Sequence, residues 1–239
     1  MAGDAMTALA IFVKTPGLSP IKTRLAAGIG AKRAEGFYRL AVQAVAEVAQ
    51  AAMPTLTPYW AVAEAEALDH TMWSGFPTVA QAEGGLGERL DHVYRTLLER
   101  HGAVLLIGAD APQVTADLLL AAALKASPFV MGRAEDGGFW LFGGTRAIER
   151  AVWFGVPYSM ADTADRLLEQ LSEVAFVTGL RDVDRADDLA GLRAHLAQLK
   201  APVAGQVALA AWLSGGMQGA DISGGVLGVV GDKKDRQAP

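Results

Sequence analysis

LAIFVKTPGLSPIKTRL, residues 9–25, joins an apolar run to a loop that carries three cations, and its reading sets the class of the whole chain. Residues 7–13 are continuously apolar up to a Pro/Gly loop, as expected of a strand buried on both faces. Pro16 and Pro20 fix the following backbone and remove two amide donors, so Lys14, Lys22 and Arg24 are expected on a segment barred from being a helix. Like charges crowded at a strand end repel unless an anion lies between them. A phosphate chain is the anion best matched to such a loop, and a solvated basic loop is the competing reading.

Working outward, strand and helix patterns alternate. Phe37, Leu40, Ala41, Ala44, Val45, Val48 and Ala49 recur at helical spacing, which predicts a long amphipathic helix over 31–52. TPYWAVA (57–63) is the next strand candidate. Leu86, Leu90, Val93 and Leu97 trace one helix face before Gly102 stops it, and AVLLIGAD (103–110) is a second apolar strand. A helix over 114–125, two strands about a turn in PFVMGRAEDGGFWLFGG (128–144), a helix near 161–172, a strand at EVAFVTG (173–179) and a helix near 186–198 follow. This order predicts an α/β domain with a mostly parallel central sheet and helices on both faces. Ligands of such sheets gather beyond the carboxyl ends of the strands, where Lys14 and Asp110 both lie. The division expected is one domain over 1–214 and a glycine-rich, flexible tail over 215–239.

Bulk composition narrows the function. Of 239 residues 51% are hydrophobic and 20% charged, enough for a sizeable core, and the net charge is −5 with no basic stripe, which argues against a nucleic-acid polymer as partner. There is no cysteine, so disulfides, thiolate zinc sites and a cysteine nucleophile are excluded, and His70, His92, His101 and His195 show no metal-ligand spacing. Any metal would take oxygen ligands. The early sequence is acidic where a signal peptide is basic, and no apolar run reaches about 18 residues, so a cytoplasmic protein without a membrane span is expected.

Several motifs fall away on inspection. GLSPIKT (17–23) departs from a phosphate-binding P-loop because Ile21 stands before the lysine and Pro20 removes an amide. GIGAKR (28–33) and GLGERL (85–90) lack the third small residue of a dinucleotide fingerprint. There is no G-x-S-x-G nucleophile elbow. Others keep two readings. Asp110 ends a strand before Ala-Pro, so its carboxylate faces the crevice as a ligand of Mg²⁺ or Mn²⁺, or forms an Asp turn. Asp136 with Gly137 and Gly138 is either a hairpin turn, the stronger signal, or a close backbone approach to a polar ligand. Asp182 and Asp184 alternate, so on an extended segment they point the same way and call for a cation; alternatively Asp184 caps the next helix. Arg89 is read as a solvated side chain near a helix start.

Taken in order, K-T-P with K-T-R-L, G-L-G-E-R, G-x-D-x-P after an apolar strand, A-E-D-G-G with an aromatic, and D-V-D-x-x-x-D-L resemble the GT-A-like radical-SAM/selenodomain-associated transferase family across residues 9–190. That family is similar to nucleotide-diphospho-sugar transferases and to molybdenum-cofactor and phospholactate guanylyltransferases. The resemblance implies a GT-A nucleotide-binding sheet with its basic loop on Lys14, Thr15, Lys22 and Arg24, its strand-end acid on Asp110, its turn on Asp136, Gly137 and Gly138, and its late acids on Asp182 and Asp184. Ser19, Ala111, Arg133, Tyr158, Arg185 and Ala186 depart from the family pattern; Arg133 and Tyr158 suggest an altered acceptor pocket.

The implied activity is a metal-dependent transferase. A glycosyltransferase using a nucleotide-diphospho-sugar is the leading expectation, a nucleotidyltransferase releasing pyrophosphate the alternative, and a non-catalytic nucleotide-binding protein the third. In this scheme Asp110 and a late acid hold Mg²⁺ or Mn²⁺, Lys22 and Arg24 neutralise the departing phosphate, Lys14 and Thr15 dock the nucleotide, and Asp136 orients an unidentified small-molecule acceptor.

Overall fold

A computed structural model describes residues 6–215, and the tail expected beyond Gly215 lies outside the described residues. Seven strands, β1 (Thr7–Val13), β2 (Leu56–Val62), β3 (Thr78–Ala80), β4 (Val104–Gly108), β5 (Phe129–Ala134), β6 (Phe139–Gly144) and β7 (Val174–Leu180), form one sheet in the order β3-β2-β1-β4-β6-β5-β7. All pairings are parallel except those of β6, which runs antiparallel to both β4 and β5. The helices are α1 (Thr23–Ile29), α2 (Ala31–Ala51), α3 (Leu86–His101), α4 (Ala116–Leu124), α5 (Arg150–Gly155), α6 (Thr163–Leu168), α7 (Asp188–Leu196) and α8 (Ala204–Leu213). The expected α/β architecture is therefore present.

The strand period of two explains the layering. On β1, Leu9, Ile11 and Val13 join Leu105 and Ile107 of β4 under α2 and α4, packed with Val42, Val45, Leu119 and Ala122. Ala8 and Ala10, with Val104 and Leu106, face the other way into a core with Val93 and Leu97 of α3, Trp153 of α5 and Leu167 of α6. A strand with both faces covered has no polar side, which is why residues 8–13 read as unbroken apolar sequence. A third cluster joins Leu25 of α1, Phe37 and Leu40 of α2, Val183, and Leu192, Leu209 and Trp212 from α7 and α8.

Four elements escape the sequence reading. Arg24 lies inside α1, so the loop is not barred from helix throughout: nothing after Pro20 restricts the backbone, and a helix starts at Thr23. β3 is three residues long and α5 six, too short for either period to register. α8 is as apolar on its solvent face as on the face that packs on α2, where Gly205 donates its N–H to Glu47 Oε2 at 2.6 Å.

Between β5 and β7 the ladder shifts: Gly132 pairs with Val177, but Ala134 pairs with Leu180, so β7 carries one residue more than β5 over this interval. Among the described residues no helix is long and apolar enough to cross a membrane.

A side chain at Gly205 would place Cβ 2.8 Å from Ala44 Cα. Gly205→Ala should push α8 off α2 and cost about 1–3 kcal/mol of stability, read as a lowered urea midpoint, as for other overpacked contacts.

Candidate active site

The basic loop is held from below. The Tyr38 hydroxyl accepts the N–H of Lys14 and donates to its carbonyl, both at 2.8 Å, which fixes the backbone where β1 ends and leaves the Lys14 side chain exposed. Burial pushes the Tyr38 phenol up, so it stays protonated and able to donate. Thr15 is 1% exposed; its N–H donates to Glu64 Oε2 at 2.8 Å and its hydroxyl accepts from Trp73 Nε1 at 3.2 Å. Burial would raise the Glu64 carboxyl, yet hydrogen bonds from Ser19 and Thr15 outweigh it and hold the group below the usual range. Its polar atoms are spent inside the loop, so Thr15 shapes the basic loop from within. Ser19, the departure from glycine, turns toward the same carboxylate.

Lys22 is the centre of the arrangement. Its backbone is left-handed, φ 44° and ψ 50°, at the N-cap of α1, a costly conformation for a residue with Cβ. The side chain is 7% exposed, with Nζ 2.7 Å from Asp110 Oδ1, 2.5 Å from the Val183 carbonyl and 3.6 Å from Asp184 Oδ1. Burial alone would lower the ammonium pKa; Asp110, then Asp184 and Asp182, more than offset this and raise it, so the group is a fixed positive charge. Arg24, two residues on, donates from Nη1 to Asp184 Oδ2 at 2.7 Å and is half exposed.

Asp110 follows the end of β4 and its carbonyl accepts the N–H of Val183 at 2.9 Å, which stitches the segment after β7 to the edge of β4. Val183 is buried in the helical cluster, so its neighbours Asp182 and Asp184 point out of the core together, as their alternation predicts. Asp184 is not the helix cap. Asp187 occupies that position, and the Asp188 carboxylate accepts the N–H groups of Asp184 and Arg185 at 2.9 and 2.7 Å. Burial, then the charges of Asp110 and Asp136, pushes the Asp182 carboxyl up to about 7.

At the β5–β6 hairpin, Asp136 Oδ1 accepts the N–H of Gly138 at 3.0 Å, an Asx turn that leaves Oδ2 uncommitted. Gly137 has φ 91°, and a Cβ there would sit 1.8 Å from the Ala161 carbonyl. The close approach at Gly137 is to the 158–161 loop, so glycine is a packing requirement there.

A cleft of about 840 Å³ opens over the carboxyl edge of the sheet and is lined by Lys14, Lys22, Arg24, Asp110, Asp136, Gly138, Asp182 and Asp184 among others. Thr15 and Gly137 are the two candidate residues outside its lining. Arg89, expected in solvent, lines the cleft with Nε donating to the Gly84 carbonyl at 3.1 Å. Gln81, Gly84, Gly85, Tyr158 and Met160 also line it; of these Gln81 and Met160 had no signal in the sequence. Arg133 does not reach the cleft and pairs with Asp165 at 2.6 Å, so its departure from the family pattern touches a surface pair, whereas Tyr158 does line the cleft.

Among the described residues no three metal-ligating side chains converge on a ready-made cage. The Lys22 ammonium lies against Asp110 and near Asp184. The donor chemistry nevertheless fits a hard divalent cation: Asp110, Asp136, Asp182 and Asp184 face Lys22 and Arg24, two positive charges against four carboxyl groups, and a proton is retained on Asp182 into the neutral range.

Residues 41–160 match the model of a family described as "Uncharacterized protein conserved in bacteria (DUF2064)". No curated protein matches the chain. A crystal structure from Desulfovibrio desulfuricans G20, provisionally described as a nucleotide-diphospho-sugar transferase, is similar at 23% identity and a TM-score of 0.75, covering 87% of this chain and 98% of that one. That likeness is one of fold. Looser overlaps include CMP:2-keto-3-deoxy-manno-octonic acid synthetase complexed with CTP (16% identity, TM-score 0.46, 80% and 99% covered) and 4-diphosphocytidyl-2C-methyl-D-erythritol synthase from Anaerococcus prevotii DSM 20548 (13%, 0.47, 82% and 100%).

The Asp182 carboxyl has a sign that can be tested. Its folded pKa lies above its unfolded value, so its contribution is fully present below about pH 4 and lost as pH rises through about 7. In chelator-containing buffer, Asp182→Asn should therefore gain stability over the native chain as pH is raised from 5 to 8, by a few kcal/mol at most, followed as the difference in thermal midpoints.

Proposed function

The chain belongs to the DUF2064 family, and on that footing we propose that it is a transferase acting at the diphosphate of a nucleotide, moving a sugar from a nucleotide-diphospho-sugar to a small-molecule hydroxyl. One observation carries this reading: Lys22, Arg24, Asp110, Asp182 and Asp184, drawn from three distant segments, meet in one cleft at the carboxyl edge of the sheet. A diphosphate needs fixed cations on one side, and a cleft of about 840 Å³ accommodates a nucleotide with a further group attached. The provisional description of the Desulfovibrio protein agrees with it. Assignment to the radical-SAM/selenodomain-associated subtype, and to a cytoplasmic setting, is part of the same proposal.

Lys14, exposed at the mouth, draws in the nucleotide phosphates. Arg24 turns its uncommitted guanidinium donors to the diphosphate, and Lys22 supplies the second positive charge as negative charge grows on the leaving oxygen. Asp110 with Asp182 or Asp184 would hold Mg²⁺ or Mn²⁺, whose contribution would be to neutralise charge on the diphosphate. Asp136 Oδ2 receives the acceptor proton: the bond from the sugar to the diphosphate breaks, the acceptor oxygen bonds the same carbon, and nucleoside diphosphate departs. Nucleotidyl transfer is the second reading, favoured by four cations around the cleft, Lys14, Lys22, Arg24 and Arg89, more than a diphosphate requires.

Incubation with nucleotide sugars and nucleoside triphosphates separates these readings by the product released, nucleoside diphosphate or pyrophosphate. Stabilisation by a nucleotide with no release of either points to a binding protein and overturns both. With the donor identified, Arg24→Ala should lower kcat roughly 10²-fold. Asp136→Asn should lower it about 10²–10⁴-fold while leaving donor affinity within a few-fold, measured by calorimetry.

A further inference from the structure

The Lys22 ammonium is better placed to fill the acid cluster than to meet a phosphate. Its side chain is almost wholly buried, its Nζ has three oxygen partners, and the closest is the Asp110 carboxylate at 2.7 Å. Arg24, by contrast, is half exposed and pairs with Asp184 alone. The backbone beneath Lys22 is strained, with φ 44°. A long side chain held at its tip by two carboxylates and one carbonyl is free to turn elsewhere once those partners are taken.

We propose that Lys22 is a positioning residue that reserves the cation site: its ammonium occupies the space among Asp110, Asp182 and Asp184 in the free protein and withdraws toward the diphosphate when a divalent cation takes its place. The inference rests on the functional reading above. A divalent ion and an ammonium that both contact Asp110 repel one another, so the two compete for this carboxylate. An incoming diphosphate offers the displaced ammonium a new anion, so metal and nucleotide enter together, and metal alone binds poorly. Withdrawal delivers the second positive charge only once donor is present.

The test is Mn²⁺ binding in the absence of any nucleotide, by equilibrium dialysis, on the full chain. Lys22→Met should bind Mn²⁺ at least tenfold more tightly than the native chain. Lys14→Met removes a cleft cation that pairs with none of these acids and should change affinity less than threefold. Adding Asp110→Asn to Lys22→Met should abolish the gain. Equal affinities for Lys22→Met and the native chain, or an equal gain in Lys14→Met, overturn the proposal. A second readout needs no variant: in the native chain, millimolar Mn²⁺ should raise acetylation of Lys22 by an amine-reactive reagent severalfold, followed by mass spectrometry, with Lys14 unchanged. Unaltered Lys22 reactivity overturns the proposal even where Lys22→Met fails to fold. Native turnover that proceeds fully in chelator sinks the metal part of the functional reading. Metal-dependent turnover with no gain in Lys22→Met sinks the exchange alone.

Discussion

One buried ammonium organises this site. Lys22 connects the loop after β1, the end of β4 and the segment after β7, through Asp110, the Val183 carbonyl and Asp184. An exposed ion pair contributes about 0–1 kcal/mol and breaking a buried one costs about 3–5 kcal/mol; with one partner buried and Asp110 half exposed, this contact falls between. It must also offset a left-handed backbone. The balance is electrostatic. Four carboxyl groups are brought together with cations among them, and burial, then the charges of Asp110 and Asp136, raises the Asp182 carboxyl.

The rest of the molecule delivers groups to that ammonium. In a parallel sheet the loops that follow β1 and β4 open on the same edge, so Lys14 and Asp110 share it by topology. The antiparallel β6 serves the same end: β5 runs toward the edge, and the hairpin that reverses the chain leaves Asp136 there. Beneath the loop, Tyr38, Glu64 and Trp73 hold residues 14 and 15, and of the three only Tyr38 also lines the cleft.

Much of this was legible in the sequence, for identifiable reasons. Strands buried on both faces announce themselves as unbroken apolar runs, so β1 and β4 could be placed within a residue or two. The alternation of Asp182 and Asp184 foretold a shared face because Val183 between them had to go inward. What was hidden depends on partners remote in the chain. Nothing in K-T-P reveals that Thr15 is claimed by Glu64 and Trp73, some fifty residues away. The glycine at 137 signals close approach without saying to what, and Ala161 is the answer. Arg89 looked like an ordinary helix-surface arginine until the Gly84 carbonyl anchored it over the cleft. α8 lacked an amphipathic stripe because its solvent face, Ala204, Val207 and Ala211, is as apolar as the face that packs inward.

The extra residue of β7 opposite Gly132–Ala134 sets the phase of everything that follows it. Side chains along an extended chain alternate, so a single inserted residue exchanges inward and outward positions downstream. With a regular ladder, Val183 would face the cleft, and the two aspartates would be driven into the apolar cluster of Leu25, Leu192 and Trp212. A one-codon deletion between Val177 and Leu180 would thus be far more disruptive than a substitution at the same place. For anyone aligning distant relatives or grafting this edge onto another sheet, the spacing of this strand is itself a functional character.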